Sequence, residues 1–128
     1  MNVLIVALDG AGFLAIGDAE VLVVAPALNS RLRHWLSDED AARRRAGERA
    51  AECVDRLERA GAHARGSVGD ADPVQAIADA LATFPADEIV IAAHPERSHR
   101  LVEDLASRAR QRFALPILQP EEVLPHAA

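Results

Sequence analysis

The chain has 128 residues, half of them apolar and only 3% aromatic, the size of one domain whose single core is packed from Ala, Val, Leu and Ile. All 14 basic residues are arginine, so the absence of lysine excludes P-loop phosphate binding and Schiff-base chemistry. A net charge of −6, with arginines interspersed among acids, argues against nucleic acid as the main partner, and the single cysteine, Cys53, excludes an internal disulfide or a multi-cysteine metal site.

Residues 1–8 lack a basic leader and are too short to span a bilayer, so a soluble cytoplasmic protein with no membrane partner is expected. Residues 2–8 (NVLIVAL) read as a central parallel strand. The turn Asp9-Gly10-Ala11-Gly12 follows, where backbone N–H groups either meet a ligand or simply turn the chain. The next strand, EVLVVAP at 20–26, begins so soon that the link must be cramped. Either one or two helical turns around Phe13-Leu14-Ala15-Ile16 carry the chain across, or the two strands form a long-looped antiparallel hairpin. Burial of both strands on both faces favours the short crossover.

Residues 27–36 form a polar loop carrying Asn29, Ser30, Arg31, Arg33 and His34. Ser37 is expected to cap a helix with Asp38, Glu39 and Asp40 in its first turn, running to Ala60 and ending at Gly61. Its inner stripe is Ala46, Ala50, Cys53, Val54 and Leu57, which makes Cys53 a core residue rather than a nucleophile. Glu39 with Arg43, Asp40 with Arg44, Glu52 with Arg56 and Asp55 with Arg59 are i, i+4 pairs with the acid first, so Arg43-Arg44-Arg45 reads as a solvated helix face.

Residues 62–68 read as a polar edge strand closed by Gly69-Asp70. Asp72 caps the next helix, Pro73 takes its first position, and Val74, Ile77, Ala78 and Leu81 form its apolar stripe towards an end near Phe84. Residues 88–93 (EIVIAA) suit a strand covered on both faces. A polar loop, His94 to Arg100, leads into a last helix over 98–113 that buries Val102, Leu105, Ala109 and Phe113. Residues 115–118 (LPIL) make a short final strand, with Pro116 suited to its start or to a sheet edge, and 120–128 a tail.

Helix followed by buried strand is half of a parallel βαβ unit. The predicted class is α/β: one domain over 1–119, an open five-stranded mainly parallel sheet with helices on both faces and a very short first crossover helix. In such sheets ligands bind beyond the carboxyl ends of the strands, where strand order reverses. That rule nominates Asp9, Gly10, Asn29, Ser30, Arg31, His94, Arg97, Ser98 and Arg100 as a ligand rim suited to a small anion. No catalytic or metal-binding residue is nominated. No G-x-S-x-G elbow accompanies His94, and His94 and His99 lack the i, i+4 spacing of a helical ligand pair.

Several segments, in this order, resemble the universal stress protein family. Val6-Ala7-Leu8-Asp9-Gly10 is similar to the end of the family's first strand. Val68-Gly69-Asp70-Ala71-Asp72-Pro73-Val74-Gln75-Ala76-Ile77 is similar to its strand, Gly, Asp-Pro and Ala-Ile helix segment. Ala86-Asp87-Glu88-Ile89-Val90-Ile91 is similar to its fourth strand, and residues 108–118 to its closing helix and strand. The resemblance implies the fold and a homodimer formed through the C-terminal edge strand. ATP-binding members place two glycines after the fourth strand and a Gly-Ser or Gly-Thr at the next helix, where this chain has about Ala92, Pro95 and Glu103-Asp104. Proline offers no N–H and paired acids repel an anion, so standard ATP binding is not expected; ATP or AMP would need Arg97 and Arg100 in place of a glycine cradle. The expected function is a non-enzymatic stress-response or regulatory domain with no resident cofactor. The alternatives are an anion- or nucleotide-binding or hydrolytic domain using Arg31, His94, Arg97 and Arg100, and a structural companion of a larger assembly.

Overall fold

A computed structural model describes residues 1–9, 18–28, 39–93 and 95–119, with the backbone alone for 95–99. In chain order its elements are β1 (Asn2–Ala7), β2 (Glu20–Pro26), α1 (Glu39–Arg59), β3 (His63–Gly69), α2 (Pro73–Leu81), β4 (Glu88–Ala92), α3 (Pro95–Arg112) and β5 (Ile117–Leu118). The strands form one sheet in the order β3-β2-β1-β4-β5, and every described pairing is parallel.

The two-residue period of the strands divides the core into two layers. Val3, Ile5 and Ala7 of β1 join Val21, Val23 and Ala25 of β2 beneath α1, which contributes Ala42, Ala46, Ala50, Cys53 and Leu57. Leu4, Val6, Leu22 and Val24 face the other way, onto Val74 and Ile77 of α2 and Val102, Leu105 and Ala109 of α3. Helices therefore cover both faces, and the alanine-rich inner stripe lets α1 lie close to the sheet. Among the described residues no helix is long and apolar enough to cross a membrane.

β1 and β2 pair in parallel from Asn2↔Glu20 to Val6↔Val24, which excludes the antiparallel hairpin and leaves a crossover. The turns expected at 13–16 lie outside the described residues, as do the Ser37 cap and the 120–128 tail. α1 has acids in its first turn and Arg56 and Arg59 in its last, as the helix dipole favours. Two of the expected i, i+4 pairs form, Arg56 with Glu52 at 2.9 Å and Arg59 with Asp55 at 3.2 Å. Gly61 ends the helix at φ 99°, a conformation costly for any residue with a side chain.

Some expected boundaries move. β1 stops at Ala7, although Leu8 still donates its N–H to Ala92 O at 2.9 Å. α2 ends at Leu81 rather than near Phe84, because Pro85 disfavours helical geometry in the residue before it. Its buried side is Val74, Ala76, Ile77 and Ala80, with Ala78 only half-buried, since the helix packs against both the sheet and α3. The Asp72 cap is as expected, accepting from Val74 N at 3.1 Å, and Arg108 of α3 reaches the same carboxylate at 3.3 Å. α3 begins at Pro95 instead of Ser98, because proline is well suited to a first helical position. β4 ends at Ala92, and β5 shrinks to two residues behind Pro116, whose carbonyl accepts from Ile89 N at 2.9 Å.

Gly69 ends β3 in close contact with α2. A Cβ there would stand 2.8 Å from both Ala76 Cβ and Val24 Cγ2. Gly69→Ala is accordingly expected to destabilise the fold by about 1–3 kcal/mol through overpacking. The measurement is the urea midpoint at unchanged slope. An unchanged midpoint would mean that α2 shifts aside freely.

Candidate functional site

From β1 the chain steps outward to β2 and β3, then returns past β1 to β4 and β5. Strand order therefore reverses between β1 and β4, and the rim above their carboxyl ends is the place an open α/β sheet offers a ligand. Asp9 stands there, half-buried, two residues beyond the end of β1. The Leu8 N–H to Ala92 O bond ties this end of β1 to the end of β4. α3 starts three residues after β4, so its first turn, which contains Arg97 and Ser98, begins at the same rim. Arg100 follows on α3 and is exposed. Gly10, Asn29, Ser30, Arg31 and His94 lie outside the described residues.

The positions matched to the family's glycines are also placed. Ala92 is the buried last residue of β4, and Pro95 is the first residue of α3. Glu103 and Asp104 sit well inside α3 rather than at its start, and Asp104 pairs with Arg108 at 3.6 Å.

Arg49 is a rim residue that the sequence reading missed. It lies midway along α1 and is half-buried, and its Nη2 donates to Pro26 O, at the end of β2, at 2.6 Å. Its Nε is buried and has no hydrogen-bond partner among the described residues. Burial lowers the guanidinium pKa from its ordinary value; the charge of Arg45 lowers it further, while Asp9 opposes the shift. Arginine keeps its charge even so. The rim thus holds a cation between the end of β2 and Asp9, with half-buried Arg45 one helical turn away.

A sequence signal for this pair existed. Arg43, Arg44, Arg56 and Arg59 each follow an acid by four residues, whereas the residues four before Arg45 and Arg49 are Ala41 and Arg45. Two arginines without that local partner, one turn apart on the helix that carries the core stripe, stand out from the solvated face.

No family model matches the chain, and no curated protein matches it by sequence. Solved structures do match in fold. A universal stress protein family protein from Arabidopsis thaliana with AMP bound is 11% identical, covers 93% of this chain and 90% of its own, and superposes with a TM-score of 0.55. A universal stress protein in complex with cAMP is 20% identical over 92% of this chain and 95% of its own, with a TM-score of 0.53. At these identities the likeness is one of fold: an open five-stranded parallel sheet with three described helices, built as in universal stress proteins.

Proposed function

We propose that this chain is a non-enzymatic, stress-linked regulatory domain of the cytoplasm, in which arginines at the strand-end rim, rather than a glycine cradle, receive the anionic end of a small ligand. The observation that carries the reading is Arg49, a half-buried cation at the rim whose Nε–H has no partner among the described residues. A buried donor without an acceptor costs on the order of 1–3 kcal/mol, which an incoming phosphate or carboxylate oxygen recovers. Asp9 complements it as an acceptor, so the rim suits a ligand that is anionic at one end and carries hydroxyl or amino donors at the other.

Nucleotides have that form, and the AMP and cAMP complexes of similarly folded proteins support the choice of ligand class. Pro95 at the start of α3 lacks the N–H that a polyphosphate cradle would use there, which favours a monophosphate over ATP. The non-enzymatic part draws on Cys53, the only cysteine. Its thiol is buried and pushed up to about 11, the reverse of an activated nucleophile.

Titration calorimetry of the full chain with AMP, cAMP and ATP tests the reading. AMP or cAMP is expected to give the larger heat and to raise the melting midpoint, by mass action worth about 2.7 kcal/mol at a hundredfold excess over Kd. Arg49→Gln is expected to weaken that binding at least about tenfold, the order for losing one charge-assisted hydrogen bond. No heat with any of the three at millimolar ligand would remove the ligand from the proposal, and tight ATP binding indifferent to Arg49 would remove the arginine.

A further inference from the structure

The sheet has two edges, and they are unequally equipped. β5 is two residues long. Since Pro116 O is bonded to Ile89 N, the groups of Ile117 point outward, and its carbonyl is already taken by Arg110 Nη2 at 2.8 Å. Among the described residues, the C-terminal edge expected to form a homodimer therefore has little backbone to offer.

β3 is seven residues long and contains no proline. His63 N and Gly69 O are both bonded into β2, so the odd-numbered residues point inward and Ala64, Gly66 and Val68 present their N–H and C=O groups outward. The side chains of these three are small and lie on the α1 face. A shallow groove of about 280 Å³ runs there, lined by Gly47, Ala50, Ala51 and Val54 of α1 with Gly66 and Val68 of β3. Gly66 allows the close approach: a Cβ would meet Ala50 Cβ at 3.2 Å and Val54 Cγ2 at 3.3 Å.

On the other face a second groove of about 480 Å³ follows the same strand, and its charged lining is Arg43, Arg65, Asp70 and Asp79. On the strand itself the cation, Arg65, lies in the first half of β3, and the acid, Asp70, follows its end. Exposed edges of this kind are sites of strand addition unless blunted.

We infer that the β3 edge is a self-complementary interface on which a second copy of this chain docks as an antiparallel strand, joining two five-stranded sheets into one. Antiparallel pairing centred on Gly66 sets Gly66 opposite Gly66 and Ala64 opposite Val68, so every outward N–H and C=O of these residues finds a partner. The same twofold turns the Arg65 half of one strand towards the Asp70 end of the other, as opposite charges favour, whereas a parallel pairing would set Arg65 beside Arg65. It also closes the two α1 grooves on each other, with Ala51 and Val54 near the axis and glycine at the crossing. The β3 interface is independent of the ligand reading and stands if no nucleotide binds.

Sedimentation of the full chain at high micromolar concentration is expected to find dimers. A nitroxide on Ser67→Cys, with Cys53 replaced by alanine, locates the interface. Pairing at β3 puts the two labelled Cα atoms about 7–8 Å apart, as diagonal neighbours, and gives strong dipolar broadening. Pairing at β5 separates them by nine strand spacings, about 43 Å. Ala64→Pro removes an outward N–H that native pairing within the chain does not use, and is expected to raise the dimer dissociation constant at least about tenfold, the order for lost interface hydrogen bonds. If that variant fails to fold, Ala51→Glu, at an exposed helix position in the groove, provides the same readout. A monomer at high concentration, a separation near 43 Å, or a dimer indifferent to Ala51→Glu would each overturn the inference.

Discussion

Ile5→Ala is expected to destabilise the fold by about 2–5 kcal/mol, in the upper part of the range for removing buried methyl groups. Ile5 lies at the middle of the central strand with no solvent exposure. It is in register with Val23 on one side and Val90 on the other, both also fully buried. Among the described residues its layer is made of alanine, valine, leucine and Cys53, with no aromatic ring to swing into the hole. The cavity therefore stays open, and the cavity term adds to the lost transfer energy. Against a total of about 5–15 kcal/mol, such a loss removes a large share of the stability. Chemical denaturation monitored by circular dichroism measures it. Leu101→Ala is the companion variant, because Leu101 is 37% exposed and its truncation should stay within about 0.5 kcal/mol. Equal losses for the two variants would contradict the two-layer core.

The second large effect is a fall in stability in alkali that a single side chain controls. Burial pushes the Cys53 thiol from 9.0 up to about 11, with Arg56 pulling it down and Glu52 adding to the rise. Between these values the unfolded chain releases its proton while the folded chain keeps it. The unfolded state then binds fewer protons, so raising the pH favours unfolding. Stability should be fully present below about pH 9 and decline towards pH 11 by about 2–3 kcal/mol, two units at roughly 1.4 kcal/mol each. The composition makes this measurable: the chain has no tyrosine and no lysine, the side chains that ordinarily titrate in the same window. Denaturation midpoints collected from pH 7.5 to 11 should therefore slope downward above pH 9, and Cys53→Ala should flatten the curve. A slope that survives the substitution would place the ionisation elsewhere.

Much of the fold was legible because its signals are local. NVLIVAL and EIVIAA are apolar runs too short for helices, and both became strands buried on both faces. Asp72-Pro73 carries its own start signal, a side-chain oxygen for an amide two residues on and a ring that fixes φ, and α2 begins there. Gly61 signalled the end of α1 for an equally local reason. The weakly alternating, polar 62–68 segment was readable as an edge strand, and β3 is one. The boundaries that differ from the sequence pattern are set by prolines. Pro95 opens α3 because proline suits a first helical position, and Pro85 limits α2 because it restricts the residue before it.

The candidate site was less legible, since it depends on which segments become neighbours. Asp9 could be placed at the end of a strand, and the rule for open α/β sheets did the rest. Arg49 could not be found in that way, because its distance from Pro26 along the chain hides a 2.6 Å hydrogen bond. Only the missing acid four residues earlier distinguished it and Arg45 from their neighbours.

The order of strands and helices along the chain, the α/β class and the inner stripe of α1 could be read from the sequence alone. These follow from periodicity, capping and the length of apolar runs, all contained within a few neighbouring residues. The parallel sense of β1 and β2 and the exact face that α2 buries needed the structure. Tertiary structure alone decided that Arg49 reaches the rim, that Gly69 has no room for a methyl group, and that β3 keeps a longer open edge than β5. Each is a distance between segments remote in the chain, set by how helices and sheet pack together, and no local pattern encodes such a distance.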